Sequence, residues 1–294
     1  MDQDIEVLAR TIRRLTGIEI GYYKPNQLQR RLGNMMGRAG ARTFAEYGRV
    51  LETDPDALAY FVDKFTINVS ELFRNPEKFE QLRDHFLAPM LRRFGRLSIW
   101  SAGCSIGAEI YSVVMLMDQL DPRGTHRYLA TDIDAAVLER ARKGQYCDQD
   151  VRNVAPALMS RYFTREGSTW QVCDAIRSRV QFRRHDLLQD RFESGFHLIL
   201  CRNVVIYFND DAKSVLYRRF YEALVPGGAL FVGGTERIPD AREIGFQTTM
   251  PFFYVRPDGQ PGSRGAASLN QGTGLPARGA GVSGPSERHR RGTQ

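Results

Sequence analysis

Residues 99 to 117 read IWSAGCSIGAEIYSVVMLM: a short apolar run, a loop of small residues holding Gly103 and Gly107, and then an apolar helix. No other stretch constrains the fold as tightly. A strand that passes into a helix through such a loop reads as part of a parallel sheet, where each crossover must carry the chain back over one face. Loops of this build usually offer bare N–H groups and a helix N-terminus to phosphate. Glu109, planted in the first turn of the helix, would repel a phosphate, so the ligand is expected to be of another kind.

The texture from Leu97 onward fits that frame. LSIW, YLATDID, VQFRRHDLL, FHLILC and ALFVGG read as strands alternating with the helices YSVVMLM, AAVLERARKG and DDAKSVLYRRFYEAL, the last capped by Asn209. Alternation of this sort implies a mostly parallel sheet covered on both faces. PGG before ALFVGG is expected to turn, and PFFYV supplies a last apolar stretch. Between Ser160 and Phe182, TWQVC and IRSRVQF flank Asp174-Ala175, and the expectation is an inserted antiparallel hairpin over about 160–183.

Residues 1–67 carry a different pattern. Ile5, Leu8, Ile12 and Leu15 follow helical spacing up to Gly17, and QLQRRLGNMMGRAG, TFAEYGRVLE and DPDALAYFVDKF each repeat a short amphipathic helix and a turn. They read as a small helical domain. A further helix is expected from RNPEKF, with Asn75 as cap and Pro76 in the first position. Residues 68–256 then form the α/β domain, and 257–294, rich in Gly, Pro, Ser, Ala and Arg, are expected to be a disordered basic tail.

Composition narrows the function classes. No apolar run is long enough to span a membrane, and the acidic, amphipathic N-terminus is not a secretory signal, so a cytoplasmic protein is expected. Cys104, Cys147, Cys173 and Cys201 lie far apart without ligand spacing, which argues against a metal and against disulfides. Of the net charge of +7, the segment from Arg256 onward holds six Arg against Asp258 and Glu287. Bulk basicity is therefore weak evidence for nucleic acid. The window from Ile20 to Ala45 is more telling: it holds Lys24, Arg30, Arg31, Arg38 and Arg42 and no acid, a surface suited to an acidic partner.

In open parallel sheets the ligand lies beyond the carboxyl ends of the strands where strand order reverses. A nucleoside triphosphate would need G-x-x-x-x-G-K-[ST], and the CSIGAE that follows Gly103 holds no lysine; a dinucleotide would prefer G-x-G-x-x-G without a carboxylate nearby. S-adenosyl-L-methionine fits better, having no phosphate, two cationic groups and ribose hydroxyls that want an acceptor. Asp132 closes the next strand, where such folds present an acid to ribose; Asp134 reads as a helix cap, and Asp186 ends the third strand, where adenine would be read.

Four blocks, TINVSELFRNPEKFEQL, WSAGCSIGAEIYS, ATDIDAAVLERARKGQY and LCRNVVIYF, give the chain its resemblance to the CheR family of chemotaxis receptor (protein-glutamate) O-methyltransferases over roughly residues 1–256. The resemblance implies a class I methyltransferase domain behind a helical domain, with a small antiparallel insertion. It implies that Asn68, Ser70 and Arg74 belong to the cofactor cradle with Gly103, Glu109, Asp132, Asp186, Leu187, Arg202 and Asn203, and that Tyr207 faces the transferred methyl. Arg30, Arg31 and Arg38 resemble the face that meets glutamate-rich receptor helices. Where the family loop has two successive acids, this chain has Ala108 and Glu109, and only the second is assigned.

The implied activity is methylation of glutamates on a chemoreceptor cytoplasmic domain, giving glutamate 5-O-methyl ester and S-adenosyl-L-homocysteine, by a monomer that needs no metal, nucleic acid or membrane insertion. The segment from Ser160 to Phe182 looks shorter than in members that grip a receptor's C-terminal tether, which argues for direct recognition of the methylation helices. Two rivals are kept: another methyltransferase substrate, disfavoured because CRNVVIYF is neither an N-P-P-Y loop nor a Pro-Cys context, and a cofactor-binding signalling scaffold without catalysis.

Overall fold

The computed structural model describes residues 3–66, 68 and 70–259, and those residues pack as one compact unit. The expected basic tail lies outside the described residues from 260 onward, but Asp258 is held: its carboxylate accepts from both terminal nitrogens of Arg93, at 2.8 and 2.6 Å.

Four helices open the chain: α1 (Gln3–Thr16), α2 (Pro25–Arg38), α3 (Phe44–Thr53) and α4 (Pro55–Thr66). Gly17, at φ +80°, stops α1 as its N–H returns to the Arg13 carbonyl. The apolar stripe of α1 turns inward, and Leu8, Ile12, Leu32, Tyr47, Phe61 and Phe65 form the core of this bundle. A linker leads to α5 (Pro76–Leu82) and α6 (Ala88–Phe94), joined by a π-helical turn over Arg83–Leu87. Pro89 has no N–H for the ordinary helical bond, which accounts for the wider turn just before it. Asn75 holds the N-cap position of α5, its carbonyl accepting from the Lys78 amide at 2.8 Å, but it sits at φ +64° and its side chain makes no cap bond.

The strands are β1 (Ser98–Ala102), β2 (Arg127–Asp132), β3 (Gln145–Tyr146), β4 (Phe163–Glu166), β5 (Thr169–Val172), β6 (Val180–Arg184), β7 (Phe196–Cys201), β8 (Leu224–Val232), β9 (Gln247–Met250) and β10 (Phe253–Val255). Seven of them make one sheet in the order β6-β2-β1-β7-β8-β10-β9, parallel except for β10. Helices α7 (Ala108–Leu120) and α8 (Ala135–Lys143) follow β1 and β2. One apolar cluster fills the α7 face and a second, around Trp100, Phe196, Ile199 and Phe220, fills the face covered by the helix Asp210–Ala223. The Trp100 indole N–H is satisfied inside, donating to Thr131 Oγ1 at 2.9 Å.

Two local expectations need correction. The inserted hairpin pairs β4 with β5 across Gly167-Ser168, with β3 added on the other side of β5; IRSRVQF instead supplies the end of a short helix and then β6 of the main sheet. Gly167 at φ +60° provides the two-residue turn, a signal present in the sequence but outranked there by Asp174-Ala175. The expected PGG turn lies within β8 as a bulge, where pairing jumps from Phe196↔Leu224 to Leu198↔Ala229. Among the described residues no helix is long and apolar enough to cross a membrane.

Candidate active site

Strand order reverses between β1 and β7, and a cavity of about 1090 Å³, counting its open mouth, lies at their carboxyl ends. Its floor is the loop after β1. Gly103 sits at φ +75°, and a Cβ there would stand 2.5 Å from Val204 Cγ2, so only glycine lets the loops after β1 and β7 meet. The N–H groups of Gly103 and Cys104 both donate to the Thr131 carbonyl at 2.8 Å, that of Ser105 to Asp132 Oδ2 at 2.8 Å, and that of Gly107 to the Cys104 carbonyl at 2.9 Å. These amides are spent inside the protein. A phosphate-binding nest needs them free, so the floor is built for a ligand that does not ask for them.

Every cofactor residue expected from the sequence lines this one cavity, as does Tyr207. The acids stand along it in strand order: Asp186 beyond β6, Asp132 at the end of β2, Glu109 in the first turn of α7. Asp132 accepts from the Ser105 and Asp134 amides at 2.8 and 3.1 Å, one on each oxygen. Burial nevertheless pushes its pKa up to about 6. Asp134, as expected, caps α8 by accepting from the Ala136 and Val137 amides.

Glu109 is not a free acid. Its Oε2 pairs with Arg202 Nη1 at 3.3 Å and its Oε1 accepts from Ser101 Oγ; burial raises its pKa while Arg202 opposes the rise. The other end of the Arg202 guanidinium donates to the Arg74 carbonyl and to Asn75 Oδ1. That bond explains the left-handed Asn75: its side chain is turned toward Arg202 instead of toward α5. Arg202 thus fastens three segments, and its plane lies over the Phe231 ring at 4.5 Å. Asn68 is likewise occupied, donating to Thr66 Oγ1 and Asp134 Oδ2 at 2.9 Å. The Arg74 guanidinium, in contrast, lines the cavity without an ion-pair or hydrogen-bond partner among the described residues.

The three arginines of α2 do not act as one face. Arg30 and Arg38 are exposed, and Arg38 rests on the Tyr60 ring. Arg31 is half-buried: it donates to the Phe65 carbonyl at 3.2 Å and its guanidinium lies 4.7 Å from the centroid of the Tyr207 ring. The basic helix therefore runs from open surface to the mouth of the cavity.

Sequence reasoning missed two features. Ile18, Glu19, Tyr23, Phe65 and Thr66 of the helical domain form a wall of the cavity. Glu236, only 3% exposed, accepts with one oxygen from the Asn203 and Gly233 amides at 2.8 and 2.6 Å, and so holds the turn, with Asn203 at φ +61°, that carries Arg202 and Tyr207. Its only sequence signal was an acid two residues beyond a strand ending in Gly-Gly. Glu236→Ala leaves two buried amides without an acceptor and is expected to cost about 2–4 kcal/mol in urea unfolding. Glu236→Gln, which keeps an acceptor for the Asn203 and Gly233 amides, should cost less than Glu236→Ala.

A seven-stranded, doubly wound sheet with an acid-lined crevice at its switch point, over a loop that turns four of its amides inward, defines the class: a class I S-adenosylmethionine-dependent methyltransferase fold. Residues 68–251 match the family model described as CheR methyltransferase, SAM binding domain, and residues 3–66 match CheR methyltransferase, all-alpha domain. The chain belongs to the CheR methyltransferase family. A chemotaxis protein methyltransferase from Listeria monocytogenes is 37% identical over 259 residues, 87% of this chain and 98% of that one. Chemotaxis protein methyltransferase 1 from Pseudomonas aeruginosa is 33% identical over 247 residues, 80% of this chain and 90% of that one. Among solved structures the likeness is weaker: an amino pentose methyltransferase from Micromonospora echinaspora is 13% identical, with a TM-score of 0.34 over 56% of this chain and 52% of that one.

Proposed function

We propose that this chain methylates glutamate side chains on the cytoplasmic helices of a chemoreceptor, forming 5-O-methyl esters and S-adenosylhomocysteine. The observation that carries the reading is the join of two sites: a basic helix ends, through Arg31, on the ring of Tyr207, and Tyr207 lines the acid-bearing cavity. An acidic helix docked on α2 would bring its carboxylates to that mouth. The relatives named above as chemotaxis protein methyltransferases point to the same substrate class.

The residues present suit S-adenosylmethionine. In this assignment Arg74 holds the methionine carboxylate, Glu109 and Arg202 shape the floor beneath the methionine half, Asp132 accepts from the ribose hydroxyls, and Asp186 with Leu187 borders adenine, while Asn68, Ser70 and Asn203 complete the rim. The bound cofactor would supply a methyl group on a positively charged sulfur, and its transfer to a carboxylate neutralises both charges. A glutamate with an ordinary pKa of about 4.3 is already ionised near pH 7, so the protein need not supply a base. A transition state less charged than its reactants favours a dry, weakly clamping site. Tyr207 orients the incoming carboxylate through a single neutral hydroxyl, and Arg31 steadies the Tyr207 ring from behind.

Tyr207→Phe is expected to lower kcat about 10- to 100-fold while leaving the Kd for S-adenosylhomocysteine within about twofold. The assignment itself is tested by incubating the chain with methyl-labelled S-adenosylmethionine and a receptor cytoplasmic fragment. Label in base-labile ester on glutamate supports it; label that resists base, or none, counts against it.

A further inference from the structure

Tyr23 stands where the two halves of the described structure meet. Its ring packs against both the core of the helical bundle and the Phe208 side of the sheet, with centroids 4.7 Å from Phe65 and 5.2 Å from Phe208. Its backbone is fixed as well, because Tyr23 bridges Phe208 as an isolated antiparallel pair, Lys24 N–H donates to the Tyr207 carbonyl at 3.0 Å, and Asn209 N–H donates to the Tyr22 carbonyl at 2.8 Å. A side chain held this firmly has little freedom left. Yet it is only half-buried, it lines the cavity, and its hydroxyl has no hydrogen-bond partner among the described residues. The hydroxyl is not sealed in the interior, so a ligand in the cavity can reach it.

We propose that the Tyr23 hydroxyl is a cofactor contact, donating to the nucleoside half of S-adenosylmethionine, so that the helical domain supplies part of the cofactor site as well as the docking surface. The inference rests on the assignment of the cavity to that cofactor. The nucleoside half is favoured because the Gln189 amide donates both to the Gly17 carbonyl and to Asp186 Oδ2, at 2.8 and 2.6 Å, which sets the cavity wall from Ile18 to Tyr23 beside the acid beyond β6, and because the methionine end already has Arg74 and the Glu109–Arg202 pair. Burial, with the Asp186 charge second, holds the Tyr23 phenol well above its ordinary pKa, so the group remains an O–H donor throughout the working pH range. A donor facing ribose oxygens or adenine nitrogens complements the carboxylate acceptors that line the same cavity.

Tyr23→Phe removes that one atom and keeps the ring packing. Calorimetry on the full chain should then show the Kd for S-adenosylhomocysteine and for S-adenosylmethionine both raised, by about tenfold and by the same factor, because the nucleoside is common to the two. The melting temperature of the cofactor-free protein should be unchanged. Unaltered Kd values would overturn the proposal, as would weakening confined to S-adenosylmethionine, or a loss of affinity accompanied by a fall in the cofactor-free melting temperature. A wild-type chain that bound neither compound would instead overturn the assignment of the cavity, and this proposal with it.

Discussion

Asp132→Ala is expected to weaken S-adenosylhomocysteine binding by about 100-fold or more. A carboxylate accepting from two ribose hydroxyls makes two charge-assisted bonds, worth about 1.5–3 kcal/mol each, and alanine makes neither. The Ser105 and Asp134 amides also lose their acceptor, which loosens the floor of the cavity. The same residue sets a pH dependence. Its pKa in the cofactor-free fold, pushed up to about 6 by burial, lies above the ordinary aspartate value of about 3.9. Under the proposed assignment, ionised Asp132 would be the form that accepts from both hydroxyls and attracts the sulfonium, so affinity should fall as pH drops through about 6 in the wild type. Binding in that range should release protons, visible in calorimetry as a heat that varies with the buffer's ionisation enthalpy.

For stability the sign is opposite. A group whose pKa is raised on folding contributes stability that is fully present below its unfolded pKa and is lost as pH rises through the folded one. From about pH 4 to above pH 6 the cofactor-free protein therefore loses what Asp132 contributes while the bound complex gains affinity. A raised carboxylate pKa of this kind is expected at a site that binds a cation. Asp132→Ala should flatten both dependences.

The second large effect concerns Arg202→Met, which is expected to cost about 3–5 kcal/mol of stability. The Arg202 side chain is 4% exposed and that of Glu109 14%, so removing the guanidinium leaves a carboxylate in the interior with no countercharge. Asn75 Oδ1 and the Arg74 carbonyl lose their donor in the same step. Much of the penalty belongs to the stranded charge, and the double variant Arg202→Met, Glu109→Gln should recover a substantial part of it in urea unfolding. A double variant less stable than Arg202→Met would show that Glu109 is not the charge Arg202 neutralises.

What could be read from the sequence follows from where the signal is local. The sheet was legible because apolar strands, the Gly103–Gly107 loop and the acids at successive strand ends each mark themselves within a few residues. The residues that the family resemblance implies for the cofactor could be named from the sequence, and all of them line one cavity. Their pairing could not be read. Glu109 looks like a free acid until the fold places Arg202, 93 positions later, beside it, and Asn75 looks like a helix cap until Arg202 claims its side chain. Tyr23 and Glu236 were missed for the same reason: neither lies in a motif, and each matters through a partner far along the chain. The hairpin error was of another kind, a choice between two nearby turn signals in which the αL-ready Gly167 prevails over Asp174-Ala175.

A floor that turns the Gly103, Cys104, Ser105 and Gly107 amides inward, flanked by acids, is expected to select a phosphate-free cationic nucleoside. Titration calorimetry on the purified chain, with S-adenosylmethionine, S-adenosylhomocysteine, ATP and NAD in parallel, addresses it directly. Saturable binding of the first two, with only heats of dilution from ATP and NAD, is the result expected. Tight binding of either phosphate-bearing compound, with none of S-adenosylhomocysteine, would contradict it.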